Sequence, residues 1–129
     1  MLDLPLVSQP FPDDRPWFDL SQYLAPGLVP RSGSLVAAQI AGNTVTLTGR
    51  ITVTSDYASP VSGGGYVLMS GLPEELRVAG TVIAYCDYSG EPSQVVADSS
   101  GRVLIPTRTG QDPALRTLLG FTITGLRKV

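Results

Sequence analysis

The most constraining feature of this sequence is a strict two-residue alternation over residues 44–54, TVTLTGRITVT. Apolar side chains occupy one parity and threonine or arginine the other, with Gly49 at one of the apolar positions. Successive side chains of a strand point to opposite faces of a sheet, so this period predicts a long strand with one dry and one solvated face. Gly49 then marks a bulge or a close approach by another backbone.

The rest of the chain has the same pattern in shorter stretches. Predicted strands include LVAAQI from Leu35, TVIAYCDY from Thr81, QVVAD from Gln94, RVLIP from Arg102 and FTITG from Phe121. Turn residues separate them at a spacing of about eight to twelve residues, which is typical of antiparallel sandwiches and barrels. We therefore predict an all-β fold, a compact antiparallel β-sandwich that is jelly-roll-like or barrel-like.

Other segments are predicted to be irregular or briefly helical. Proline and glycine disfavour regular structure over residues 23–34, and residues 55–65 form a long loop before a short strand. Pro73 followed by two glutamates indicates a single helical turn. Asp112 as N-cap and Pro113 at the first position predict one short helix that ends near Gly120.

Composition and charge limit the classes of partner. A chain of 129 residues with 43% hydrophobic residues is expected to form one domain with a real core. Its net charge of -2 and its scattered nine Lys and Arg residues argue against nucleic acid, because phosphate binding needs clustered cations. No apolar run is long enough for a membrane span, and no signal-peptide pattern is present, so membrane insertion is not expected. Cys86 is the only cysteine and is predicted to be a small core residue.

The sequence gives little support to catalysis or metal binding. It contains no histidine, which excludes triads with an imidazole base and His-ligated zinc sites. Its acids lie mostly in turns, and neither Asp13–Asp14 nor the DYSGE segment from Asp87 has the spacing of a calcium loop. We expect a non-enzymatic protein with no catalytic residue, no metal and no cofactor.

Two tyrosines next to acids are the candidate ligand contacts. Tyr57 follows Asp56 in the long loop, and Tyr88 follows Asp87 at the end of a predicted strand. Each pair offers a flat apolar ring beside a hydrogen-bond acceptor, which is the combination that saccharide recognition requires. The alternative is that each ring covers one end of the sandwich.

Residues 1–16 are predicted to form an extended, proline-rich N-terminal arm that precedes the sandwich domain at residues 17–129. Four prolines remove backbone donors and favour extended conformations at the residues before them. The arm also carries apolar residues that would be poorly placed in a free tail, which indicates a partner-binding arm or a segment packed on its own domain. The proposed partner contacts are Leu4, Leu6, Val7 and Phe11.

Four motifs in order resemble one family, the small β-domain that ends many tail-fibre, receptor-binding and minor tail proteins of tailed bacteriophages. They are WFDL at 17–20, GNTVTLTGRI at 42–51, GLPEELR at 71–77 and DSSGRVLI at 98–105. The resemblance implies a compact β-sandwich, commonly trimeric, that is displayed on a virion and often contacts the host surface. It implies no catalytic residues.

The expected function is that of a non-enzymatic structural protein of the phage tail, in a tail fibre, tail tip or baseplate. It would be assembled in the host cytoplasm and would either present a surface that binds a host-receptor saccharide or reinforce the tail or baseplate assembly. The expected partners are two further copies in a homotrimer and neighbouring tail proteins reached through the arm. The alternatives are a capsid decoration protein and a free carbohydrate-binding module.

Overall fold

The structure is a computed structural model that describes residues 16–88, 91–107, 112–115 and 118–129. Apart from Pro16, the predicted arm lies outside the described residues. Short 3₁₀ turns at Ser21–Tyr23, Glu74–Leu76 and Pro113–Leu115 interrupt the strands. The described residues form ten strands: β1 (Trp17–Asp19), β2 (Leu28–Pro30), β3 (Val36–Ala41), β4 (Thr44–Val53), β5 (Val61–Ser62), β6 (Gly65–Met69), β7 (Thr81–Tyr88), β8 (Glu91–Asp98), β9 (Val103–Pro106) and β10 (Leu118–Leu126).

These strands build the predicted all-β fold, a compact antiparallel sandwich of two packed sheets. The first sheet has the order β1-β3-β4-β10, and β2 also pairs with β4. The second sheet has the order β7-β8-β9-β6-β5. The large aliphatic side chains between the sheets are almost fully buried, and each contributes about 1.5 to 3 kcal/mol relative to an exposed position.

The alternation of β4 is confirmed. Val45, Leu47 and Ile51 are at most 1% exposed, while Arg50 on the other parity is exposed. Pairing with β10 continues through Gly49 without a register shift, and the register with β3 is unbroken up to Gly49, where it ends, so Gly49 is not a bulge.

Gly49 is needed because side chains crowd its inner face. A Cβ atom there would lie 3.1 Å from Cγ1 of Val36 and 3.4 Å from Cε1 of Phe121. The close approach therefore comes from side chains of β3 and β10. The predicted close approach by another backbone is wrong.

The two sheets are joined along both sides. On one side, β10 pairs with β7 at Leu119 and Gly120. On the other side, residues 23–25 leave the first sheet and pair with β6, where the amide of Ala25 donates to the carbonyl oxygen of Leu68 at 3.0 Å. This second join covers the part of the β6 edge that β5 does not reach, since β5 pairs only with Gly65 and Tyr66.

Three local predictions are corrected. The predicted helix after Asp112 is reduced to one 3₁₀ turn, because β10 starts at Leu118 and pairs with β4 from there. Its N-cap is confirmed, since Oδ1 of Asp112 accepts a 2.9 Å hydrogen bond from the amide of Ala114. Short strands also occur in both segments that were predicted to be irregular, as β2 and as β5.

The third and fourth motifs form one corner of the sandwich. The amide of Leu72 donates to the carbonyl oxygen of Gly101 at 3.2 Å, and Nε of Arg77 donates to the carbonyl oxygen of Leu72 at 2.8 Å. Gly101 has a φ of +82°, and a Cβ atom there would lie 2.7 Å from Nε of Arg77. The arginine and glycine of these motifs therefore have a packing role.

Candidate functional site

Tyr57, predicted to offer an exposed ring to a saccharide, is a core residue. Its side chain is 4% exposed, and its hydroxyl donates a 2.8 Å hydrogen bond to the carbonyl oxygen of Val67. Burial, with a smaller effect from the negative charge of Asp112, raises the pKa of Tyr57 well above its ordinary value. The prediction of an exposed ring is wrong because the loop after β4 carries the ring into the core. Asp56 is exposed, but the ring expected to act with it is not.

The second predicted saccharide pair, Asp87 and Tyr88, lies at the end of β7, and both side chains are outside the described part of the chain. In backbone register, Asp87 is opposite Gly120 and Tyr88 is opposite Leu119. The pair is therefore at the junction of the two sheets. The predicted arm contacts also fall outside the described residues, at Leu4, Leu6, Val7 and Phe11.

A cleft that the sequence did not reveal crosses the outer face of β4 and β10, and we name it the arginine cleft. Gly120 is opposite Arg50 in the strand pairing. Because glycine has no side chain, the surface at Gly120 is lower than at the surrounding residues, and a depression results. Its volume is about 380 Å³, within the range of small-molecule clefts. The lining residues are Arg31, Thr48, Gly49, Arg50, Tyr85, Gly120, Phe121 and Thr122.

The two arginines of the cleft are held side by side. The amide of Arg31 donates a 2.8 Å hydrogen bond to the carbonyl oxygen of Arg50. Within the described residues neither guanidinium has a hydrogen-bond or carboxylate partner, and Nε of Arg31 is buried. By contrast, the guanidinium of Arg102 forms a 2.8 Å ion pair with Asp98. The cleft thus contains two positive groups that an anion would stabilise.

Aromatic side chains stand at both ends of this surface. Tyr85 borders the arginine cleft from β7, and its side chain is 71% exposed. On the other side of Arg50 is a second depression of about 600 Å³, which includes Trp17 in its lining. The full lining of the second depression is Trp17, Gly33, Ser34, Leu35, Ala37, Thr48, Gly49 and Arg50.

Threonine hydroxyls add hydrogen-bonding capacity beside the arginines. Oγ1 of Thr48 donates to the carbonyl oxygen of Phe121 at 3.2 Å and lies 2.9 Å from Oγ1 of Thr122. A hydroxyl has one proton, so Thr122 is the donor in the second bond and its oxygen keeps lone pairs for a ligand. The same cross-strand pairing occurs between Thr46 and Thr124 at 2.9 Å, and it fixes the threonine rows of the outer face.

Only two features of the sequence point to the arginine cleft. Arg50 is the one basic residue in the threonine row of β4, and Gly120 precedes the final alternating segment. Their juxtaposition depends on the pairing of strands 70 residues apart, and Arg31 joins them from the loop after β2. No local pattern encodes that arrangement.

No group of three or more His, Cys, Asp or Glu side chains among the described residues could hold a metal ion. Cys86 is a buried free thiol, as predicted.

Among the described residues, no helix has the length and apolar character needed to cross a membrane.

The chain matches no protein-family model, no curated protein and no solved structure.

Proposed function

We propose that this chain is a non-enzymatic structural protein of a bacteriophage tail, in a tail fibre, tail tip or baseplate, that also binds a saccharide of the host surface. The tail assignment is supported by the order of the four motifs, which resemble those of phage tail β-domains. The two later motifs meet at one corner, where Arg77 and Gly101 pack together. Their residues therefore maintain the fold and leave recognition to other surfaces.

The single observation that carries the binding role is the arginine cleft on the rigid outer face. Two guanidinium groups without partners among the described residues lie beside an exposed tyrosine ring. Unpaired arginines and exposed aromatic rings are common in binding sites and have no role in holding this sandwich together. The paired strands position Arg50 and Tyr85, and a backbone hydrogen bond to Arg50 holds the loop residue Arg31 beside them.

Assembly is the second part of the proposal. We propose a homotrimer in the virion and contacts of the arm at residues 1–16 with a neighbouring tail protein. The support is the predominance of symmetric homo-oligomers and the apolar, extended character of the arm sequence. Deletion of residues 1–15 is expected to leave the sandwich folded and to abolish incorporation into particles. Incorporation of the deleted chain at normal copy number would refute this role of the arm.

The tail assignment is tested by locating the protein on purified particles with gold-labelled antibodies in the electron microscope. Label at the tail tip, fibres or baseplate is the expected result. Label over the capsid would contradict it and support a decoration protein. A purified chain that binds saccharide, with no label on any particle, would support a free carbohydrate-binding module.

A further inference from the structure

We propose that the arginine cleft binds a carboxylate-bearing saccharide, an oligomer of acidic sugars, and that Arg50 and Arg31 hold its carboxylate. This inference rests on the proposed saccharide-binding function and names the class of ligand.

The first step is the charge of the cleft. Arg31 and Arg50 are adjacent and lack partners within the described residues, in a chain that has more acidic than basic residues overall. The described lining contains no aspartate or glutamate. In backbone register, Asp87 is on the strand beyond Gly120, one strand further from Arg50. An anion bound at the two guanidinium groups would balance their positive charges.

The second step is the shape of the anion. Arg50 pairs with Gly120 of β10, and on its other side its carbonyl oxygen accepts from the amide of Arg31, between the segments that pair with β3 and with β2. The donors that Arg50 and Arg31 offer to an anion in the cleft are therefore those of their side chains. Guanidinium groups present planar forks that match the two oxygens of a carboxylate. Phosphate sites in proteins usually add several free backbone amides, as at a helix N-terminus or a glycine-rich loop. Because the arginine cleft lies on paired strands, it resembles a carboxylate site more than a phosphate site.

The third step is the body of the ligand. Tyr85 presents an exposed ring next to the arginines, and the apolar face of a sugar ring packs on such aromatic surfaces. The oxygen of Thr122 is free to accept a hydrogen bond from a sugar hydroxyl. A carboxylate, a ring with an apolar face and hydroxyl groups together describe an acidic sugar.

The fourth step is the length of the ligand. Arg50 lines both the arginine cleft and the second depression, which has Trp17 in its wall. Two adjoining depressions with an aromatic side chain at each end provide room for neighbouring sugar units on either side of one guanidinium. We therefore expect an oligomer to bind more tightly than a single acidic sugar.

Isothermal titration calorimetry with a matched pair of probes tests this inference. The probes are trigalacturonic acid and its methyl ester, which have the same rings and hydroxyl groups and differ in charge. The acid is expected to bind the wild-type chain at least about tenfold more tightly than the ester, and Arg50→Gln is expected to remove that preference.

Two further variants separate the cleft from the general charge of the protein. Gly120→Val is expected to weaken binding of the acid by at least about tenfold, because the valine side chain fills the depression that Gly120 leaves in the arginine cleft. The site has room for the Cβ atom of that side chain, which would lie at an ordinary 3.6 Å from Cγ of Arg50. Lys128→Gln is the matched control, because Lys128 is an exposed cation absent from the cleft lining. The affinity of Lys128→Gln for the acid should stay within about twofold of that of wild type.

The outcomes distinguish this inference from the function on which it rests. Equal binding of acid and ester, unaffected by Arg50→Gln but lost in Tyr85→Ala, would overturn the acidic ligand and leave saccharide binding in place. Equal losses of affinity for the acid in Arg50→Gln and Lys128→Gln would show that the acid is attracted by the overall charge of the protein. That result would also overturn the proposed acidic-saccharide site in the arginine cleft. Absence of binding to both probes and to a broad glycan array would overturn the saccharide-binding function itself. Circular dichroism and thermal midpoints establish that each variant is folded.

Discussion

Replacing Tyr57 by phenylalanine removes one oxygen atom from the core and tests whether this residue is structural. The hydroxyl donates to the Val67 carbonyl at 2.8 Å, and both residues are buried, at 4% and 7% exposed. The next carbonyl, that of Leu68, accepts from Ala25. At this point the pairing of β6 with β9 shifts register, so Tyr57 supplies a donor to a carbonyl at an irregular site.

The expected cost of Tyr57→Phe follows from leaving that buried carbonyl without its donor. A lost hydrogen bond of this kind costs about 1 to 2 kcal/mol in the free energy of unfolding. For a domain of this size, the melting temperature would fall by roughly 4 to 8 °C. Urea denaturation followed by circular dichroism at pH 8 measures the free energy. Tyr85→Phe is the control, because its ring is 71% exposed and its hydroxyl contributes little.

The raised pKa of Tyr57 gives the same variant a pH signature. In the folded state the phenol keeps its proton above its ordinary pKa of 10.0, whereas the unfolded chain releases it. The stability contribution is therefore complete below pH 10 and declines above it, by about 1.4 kcal/mol per pH unit. The difference in the free energy of unfolding between wild type and Tyr57→Phe should become smaller from pH 8 to pH 11. A difference below about 0.5 kcal/mol at pH 8, or a difference that does not change with pH, would refute the structural role of Tyr57.

Further substitutions test the packing of the sandwich by urea denaturation. Gly120→Ala is expected to raise stability by about 0.5 kcal/mol, because the site has room and glycine weakens a strand. In the same strand, Gly125→Ala should cost about 1 to 3 kcal/mol, because its Cβ atom would lie 2.6 Å from Cγ2 of Val82; equal effects at the two glycines would contradict this packing. Gly101→Ala should cost about 2 kcal/mol, since its φ of +82° is strained for alanine; a neutral result would exclude the corner contact. Ile123→Ala should cost about 3 to 4 kcal/mol at a fully buried position, and a loss below 1 kcal/mol would mean that β10 does not face the core.

The long alternating strands could be predicted from the sequence because their signal is local. In β4 and β10, burial follows the parity of the apolar residues, as at Leu47 and Ile123. The turn at Gly42 was also predictable, since its φ of +62° is a conformation that glycine adopts readily. These elements required no knowledge of their neighbours.

Elements that depend on a partner strand could not be predicted. β2 forms in a proline- and glycine-rich segment because it pairs with residues 51–53. β10 begins at Leu118, inside the predicted helix, because pairing with β4 outweighs the local helical preference. Tyr57 looked exposed because loops usually are, and only its contact with β6 reveals that it is buried.

The arginine cleft belongs to this second group. Arg50 was correctly placed on the outer face, but the absence of a side chain opposite it results from register with Gly120. Arg31 reaches the same surface through a backbone hydrogen bond across a loop. The chemistry of the site therefore arises from long-range pairing of residues that have no distinctive local pattern.

If the outer face around β4, β10 and Tyr85 is the recognition surface of this protein, a bound ligand must change the surroundings of the backbone amides there. Titrating the ¹⁵N-labelled chain with trigalacturonic acid should therefore move the amide chemical shifts most at residues 48–50 and 120–122 and at Tyr85, and little in the loop around Tyr57. Saturable shifts confined to that loop, or to the corner formed by Leu72 and Gly101, would refute this location of the binding surface.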